Sequence, residues 1–252
     1  MQPLFDATPL LGDAAALRTR MKRDGYLFIR GLVPRDAVAD VQRQVGELAR
    51  AAGWLRADAA VGKMTASLEL VAGLRRAGRD VAFVATGQTG IAIAGAGISV
   101  DAVVADFIAG AAERLVCDAA ERAEWVVVEG QGSLTHPGFS GVTLGLLHGS
   151  APDLLVLCAD ASRTGLKDHP EVAVRPFVEL VALYQAAAGW TRPGVHVPVV
   201  AIALNTSALG PDEARAAVDA ASAATGLPAC DPVRDGPAAV DRIVRALTAA
   251  RR

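Results

Sequence analysis

Cysteine is scarce: Cys117, Cys158 and Cys230 are widely spaced, odd in number and set among apolar residues, with no Cys-x-x-Cys pair. That spacing excludes a disulfide framework and reads as buried thiols of a reducing compartment. Dense Lys/Arg runs are also missing and the formal charge is -2, so neither a nucleic-acid stripe nor a polybasic membrane segment is expected. No apolar run reaches membrane-spanning length, since even "VPVVAIAL" stops short. The opening "MQPLFDATPLLGDAAALRTR" has no basic segment followed by an apolar one, which argues against a signal peptide. A cytoplasmic protein with small-molecule partners is expected, with no nucleic-acid or membrane partner, and homo-oligomerisation is left open. His-Glu-x-x-His, Gly-x-Ser-x-Gly and His-x-Asp do not occur, and no metal site is expected. His169-Pro170-Glu171 spells part of an iron triad, but a proline at the start of a helix favours a structural reading.

What is present is a chain of 252 residues, half of them apolar, enough for a full core in one domain or two. "DVAFVAT", "EWVVVEG", "DLLVLCAD" and "VPVVAIALN" read as strands covered on both faces, hence parallel. Between them lie the helical patterns "KMTASLELVAGLRRAG", "VDAVVADFIAGAAERLVCDAAERA", "HPEVAVRPFVELVALYQAAAG", "GPDEARAAVDAASAATG" and "GPAAVDRIVRALTAARR". Strand-helix alternation predicts an α/β fold, a three-layer parallel sheet with helices on both faces, and ligands then sit at the carboxyl ends of the strands. The first residues differ: two helical patterns surround "YLFIRGLV", so residues 1–58 read as a small, mostly helical appendage to a domain over 59–252.

Chemistry concentrates in four stretches. "ADAAVGKMTASLEL" ends in Gly62-Lys63 at the start of a helix, as a phosphate loop does, but Ala57 and Met64 depart from G-x-x-x-x-G-K-[ST]. A non-glycine forced to positive φ where the first glycine belongs costs about 1 kcal/mol or more, and Met64 lacks the hydroxyl that ligates magnesium, Thr65 coming one place late. Residues 125–150, "WVVVEGQGSLTHPGFSGVTLGLLHGS", place Glu129 after a buried strand, where it can hold magnesium through water or act as a base; the alternative is a strand cap at solvent. His136 and His148 flank the turn that follows, each catalytic or structural. Gln88 and Thr89 lie exposed in a polar turn after the preceding strand, Asp101 is a helix cap or a ligand, and Asn205 and Thr206 end the fourth strand where a base or ribose could be read.

"AVGKMTASLEL", "AFVATGQTGIAIAGAGISVDAVVADFIAGAAE", "VVVEGQGSLTHPGFSGVTLGLLHGSAPDLLVLC", "ALNTSALG" and "TGLPACDPVRDG" resemble, in order, motifs of the D-glutamate N-acetyltransferase-like P-loop family. The phosphate loop and "VVVEGQGSL" are also similar to those of dethiobiotin synthetase. The resemblance implies acetyl transfer from acetyl-CoA to an acidic amino acid, D-glutamate being the named case. It implies phosphate contacts from Gly62, Lys63, Met64 and Thr65, with Glu129 facing the reacting centre. Lys63, Glu129 and His136 are then the catalytic candidates, and Gln88, Thr89 and Asn205 complete the cofactor site for acetyl-CoA or ATP, with Mg2+ admissible. Residues 17–55, "LRTRMKRDGYLFIRGLVPRDAVADVQRQVGELARAAGWL", resemble the opening of phytanoyl-CoA dioxygenase family proteins. The chain thus reads as a fusion of two family fragments joined inside the phosphate loop, "GWLRADA" standing where the P-loop family has a domain, a strand and the first glycine. The alternatives are a catalytically silent remnant with weak nucleotide binding and an ATP-dependent ligase of dethiobiotin-synthetase type.

Overall fold

The computed structural model describes residues 5–25, 27, 29, 31, 32, 44, 62–166 and 169–251. The chain divides into two compact units, Met1–Leu55 and Arg56–Arg252.

In the first unit a short 3-10 turn at Thr8–Leu10 precedes helix α1 (Ala14–Asp24). Asp13 caps α1 by accepting from the N–H groups of Ala15 and Ala16, and Gly25 ends it in the left-handed conformation, the usual chemistry of the two helix ends. Half of "YLFIRGLV" and nearly all of the second helical pattern lie outside the described residues.

The second unit alternates strand and helix: α2 (Lys63–Arg76), β1 (Val81–Val84), α3 (Gln88–Ala94), α4 (Ile108–Ala120), β2 (Trp125–Val128), α5 (Ser140–Ser150), β3 (Leu155–Asp160), β4 (Gly165–Leu166), β5 (His169–Ala173), α6 (Phe177–Gly189), β6 (Val199–Asn205), α7 (Pro211–Thr225), β7 (Ala229–Cys230) and α8 (Gly236–Ala250). β1 pairs with β2, and β6 lies between β3 and β7, all in parallel; β4 and β5 form a small antiparallel hairpin. Side chains of a strand alternate between faces, and β3 shows the consequence. Val156 packs with Leu70, Leu74, Val240 and Ile243 of α2 and α8, whereas Leu155, Leu157 and Ala159 pack with Leu180 of α6 and Ala221 of α7. Phe83 of β1 and Val127 of β2 join the first of these clusters, so both parallel ladders share one core and the fold is a P-loop-type α/β domain with helices on both faces. Among the described residues no helix is long and apolar enough to cross a membrane.

The strand expectations each fall on an observed strand, but several details differ. "HPEVAVRPFVELVALYQAAAG" is not one helix: His169–Ala173 is strand β5, and α6 starts at Phe177 after Pro176. Pro170 and the alternating Val172 and Val174 resist helical packing, while Pro176 is suited to a helix entrance. Residues 100–107 form two 3-10 turns before α4 rather than extending it. The glycine-rich run after β2 holds helix α5, hidden in the sequence by its glycines, and "LPAC" contributes β7. Cys117 is exposed rather than buried, whereas Cys230 is buried and Cys158 half-buried.

Candidate functional site

Five parallel strands deliver polar residues to one edge. Thr86 and Gly87 follow β1, Glu129 follows β2, Asp160 and Arg163 close β3, Asn205 ends β6, and Asp231 follows β7. Facing them is the start of α2. Gly62 caps this helix with φ of 81°, a left-handed conformation that suits glycine, and its carbonyl accepts from Ala66 N–H at 2.8 Å. The first N–H groups of a helix lack intrahelical partners and its dipole end is positive, which makes this an anion-binding position. Met64 lies in that first turn; Ala57 and the junction before Gly62 lie outside the described residues.

Lys63 extends across the edge. A Cβ on Gly130 would stand 3.1 Å from Lys63 Cδ, so the lysine stem runs along the backbone just after Glu129. Burial pushes its ammonium below the ordinary lysine range; Cys158 and Glu129 act in the opposite direction, and Arg163 adds to the lowering. Desolvation disfavours the charged ammonium, and an anionic ligand at this position would favour it. Burial pushes the Cys158 thiol up to about 11, which removes it as a nucleophile at neutral pH.

Glu129 is buried, and one carboxylate oxygen accepts from Thr86 N–H at 3.0 Å and Gly87 N–H at 3.1 Å, while its carbonyl accepts from the Thr86 hydroxyl at 2.7 Å. It thus occupies the entrance of α3, and a Cβ on Gly90 would lie 2.3 Å from its Oε2. This is neither a solvent cap nor a free carboxylate: Glu129 joins the ends of β1 and β2 and adds negative charge to the field at Lys63. Gln88 and Thr89 are exposed in the first turn of α3.

On the other side of α2, Asn205 Cβ is 3.7 Å from where Gly62 would carry a Cβ, and Asn205 Oδ1 accepts from Ser207 N–H at 3.0 Å. A cavity of about 260 Å³ opens there, lined by Thr65, Ala66, Asn205, Ser207, Val233 and Arg234 among others. Asp231 holds its rim. One oxygen accepts from the N–H and hydroxyl of Thr206, the other from the N–H groups of Val233 and Arg234. Burial works to raise the Asp231 pKa, but these hydrogen bonds outweigh it and hold the carboxyl below its ordinary range.

Gly62, Lys63, Thr65, Glu129 and Asn205 therefore surround the start of α2. A domain-of-unknown-function family described as the DUF1611_C P-loop domain matches residues 55–244. The chain belongs to this DUF1611 P-loop family. Its P-loop domain is similar to a D-glutamate N-acetyltransferase from Pseudoalteromonas sp., 46% identical over 187 residues, covering 74% of this chain and 54% of that protein. A second D-glutamate N-acetyltransferase, from Tritonibacter scottomollicae, is 41% identical over 214 residues, covering 84% of this chain and 61% of that one. The crystal structure of a DUF1611 family protein from Anabaena variabilis ATCC 29413 superposes with a TM-score of 0.69 at 42% identity, covering 73% of this chain and 54% of that chain. The chain spans little more than half the length of these relatives.

The remaining histidines of the DUF1611 domain separate by position. His148, near the end of α5, lies against the Ala187 carbonyl at 3.1 Å and the Trp190 ring, a packing role. His136 is buried against Phe139 and His169, and its Nδ1 accepts from Gly138 N–H. These contacts place it between the start of α5 and the β5 strand. Sequence reasoning missed Arg163, Asp160 and Asp231: "CADASRTG" and "ACDPVRDG" put acidic and basic residues directly after short apolar runs, the signal that singled out Glu129.

Proposed function

We propose that this chain is an N-acetyltransferase-type P-loop protein that transfers the acetyl group of acetyl-CoA to the amino group of an acidic amino acid such as D-glutamate. The observation that carries the reading is Lys63, which follows the Gly62 cap at the entrance of α2 and lays its stem along Gly130 beside Glu129, the position from which a lysine and the helix N-terminus meet a phosphate together. The names of the two curated relatives supply the reaction class. A CoA pyrophosphate meets Lys63 and the N–H groups of the first turn of α2, including Met64 and Thr65. The cavity beside Asn205 and Val233 has the size and largely apolar walls that suit a purine ring. Arg163, held by Asp160 at 3.0 Å, offers a planar fork to a carboxylate of the acceptor. Met64 carries no hydroxyl for magnesium, a smaller loss for a CoA ester than for ATP.

Calorimetric titration with acetyl-CoA and, in parallel, ATP-magnesium tests the cofactor, and mass spectrometry of D-glutamate incubated with acetyl-CoA tests the reaction. Saturable acetyl-CoA binding with formation of N-acetyl-D-glutamate is the expected result. Binding of ATP-magnesium alone, or absence of product at saturating substrates, would overturn the reading.

A further inference from the structure

An α-amino group reaches an enzyme at neutral pH as ammonium, so acetyl transfer needs a group that removes a proton before the nitrogen can attack. Glu129 is buried and committed to Thr86 and Gly87. His196 precedes β6, and His148 lies near the end of the helix leading into β3, so both sit toward the amino edge of the sheet. His136 and His169 remain at the carboxyl edge.

Hydrogen bonding distinguishes the two. Gly138 N–H donates to His136 Nδ1 at 3.1 Å, so the ring proton of neutral His136 lies on Nε2, and no basic lone pair is left at that atom. His169 has the opposite tautomer. Its Nδ1 is 3.2 Å from Glu171 Oε1; a carboxylate only accepts, so Nδ1 donates and the lone pair lies on Nε2. His169 and Glu171 are two apart on β5 and therefore project from the same face. A hydrogen bond from its own backbone and then the bond from His169 hold the Glu171 carboxyl below its ordinary range, which keeps it an acceptor at neutral pH. The His169 side chain is 41% exposed, open to a substrate. Its ring meets that of His136 edge-on at 5.4 Å, and His136 belongs to the loop between β2 and α5 that also contains Gly130, the residue against the Lys63 stem. At its other root, the hairpin starts two residues after Arg163, which acts on the Lys63 charge.

We propose that His169, oriented by Glu171, is the general base for the acceptor amine, and that His136 is a positioning residue that packs against it; the inference rests on the acetyl-transfer reading above. The acceptor ammonium gives one proton to His169 Nε2, which passes it to solvent. The freed amine forms the C–N bond to the acetyl carbon as the C–S bond breaks, and the second nitrogen proton goes to the departing CoA sulfur. The products are the N-acetyl amino acid, CoA thiol and one proton.

The test compares the full chain with its His169→Ala and Glu171→Gln variants, reading N-acetyl-D-glutamate formation and acetyl-CoA affinity from pH 6 to 9. His169→Ala should lower kcat about 100-fold or more, leave the acetyl-CoA Kd within about twofold, and recover part of its rate with added imidazole. Glu171→Gln should lower kcat less and move the acidic limb of the kcat profile, with Glu171 and His136 the described titratable groups facing the ring. A His169→Ala variant within about twofold of the parent rate, or one whose loss is matched by lost acetyl-CoA binding and not rescued by imidazole, overturns the assignment while acetyl transfer stands. A parent chain that makes no product defeats the acetyl-transfer reading and this inference together.

Discussion

Lys63 and Glu129 show how one residue can be placed at a cost. A lysine whose folded pKa lies below its ordinary value of 10.5 leaves the unfolded chain holding more protons between those two values, so stability rises with pH through that window. Below it the full penalty of the buried charge is present. Lys63→Met should therefore relieve the desolvation penalty in the ligand-free protein at pH 7, with the gain shrinking as the pH approaches 10.5, while acetyl-CoA affinity falls at least about tenfold. Thermal melts at several pH values and calorimetry check both parts. Glu129 is the reverse case: Glu129→Gln keeps an acceptor for Thr86 and Gly87, whereas Glu129→Ala strands two N–H donors, at about 1–3 kcal/mol for each that is buried. The alanine variant should melt several degrees lower than the glutamine variant.

At the scale of elements, two contacts decide how the frame holds the site. Helices α4 and α5 cross so closely that a Cβ on Gly149 would lie 2.0 Å from the Ala109 carbonyl oxygen. Because the obstacle is backbone, Gly149→Val should cost about 3 kcal/mol or more and lower Tm by several degrees in differential scanning calorimetry. The second contact is the Asp231 clamp, which joins the exit of β6 to the turn before α8. Its carboxyl is held below the ordinary aspartate value of 3.8, so its contribution is complete above that value and is lost as pH falls through the folded pKa. Asp231→Asn should be destabilised at pH 7, and its stability curve should converge on that of the parent in acid. These elements were unevenly legible. Apolar runs of four to seven residues gave away β1, β2, β3 and β6, but β5 was masked because "EVAV" also satisfies a helical pattern once joined to "FVELVALY". Only pairing with Gly165 and Leu166 makes it a strand.

For the whole molecule, the division into Met1–Leu55 and Arg56–Arg252 means that the P-loop unit carries its own core, both faces of its sheet being covered by its own helices. Expressed without residues 1–55, that unit should keep its Tm within about 3 °C, a change of about 1 kcal/mol, and should still bind acetyl-CoA. A separately folded product that melts cooperatively checks the first part, and calorimetry the second.

The sequence by itself determined the α/β class, the parallel strands and the places where polar residues follow them, because hydrophobic periodicity and short-range punctuation by glycine are local properties. It also marked Gly62-Lys63 and Glu129, since a glycine-lysine pair at a helix start and a carboxylate after a buried strand are local too. Only the tertiary structure decided what these groups do together. The five strand ends converge from positions up to about 150 residues apart along the chain, so the influence of Glu129 and Arg163 on Lys63, the engagement of Glu129 by Thr86 and Gly87, and the meeting of His136 with His169 depend on sheet order and loop path. Burial and hydrogen-bond direction, which set the charge on Lys63 and the lone pair on His169, exist only once those segments have come together.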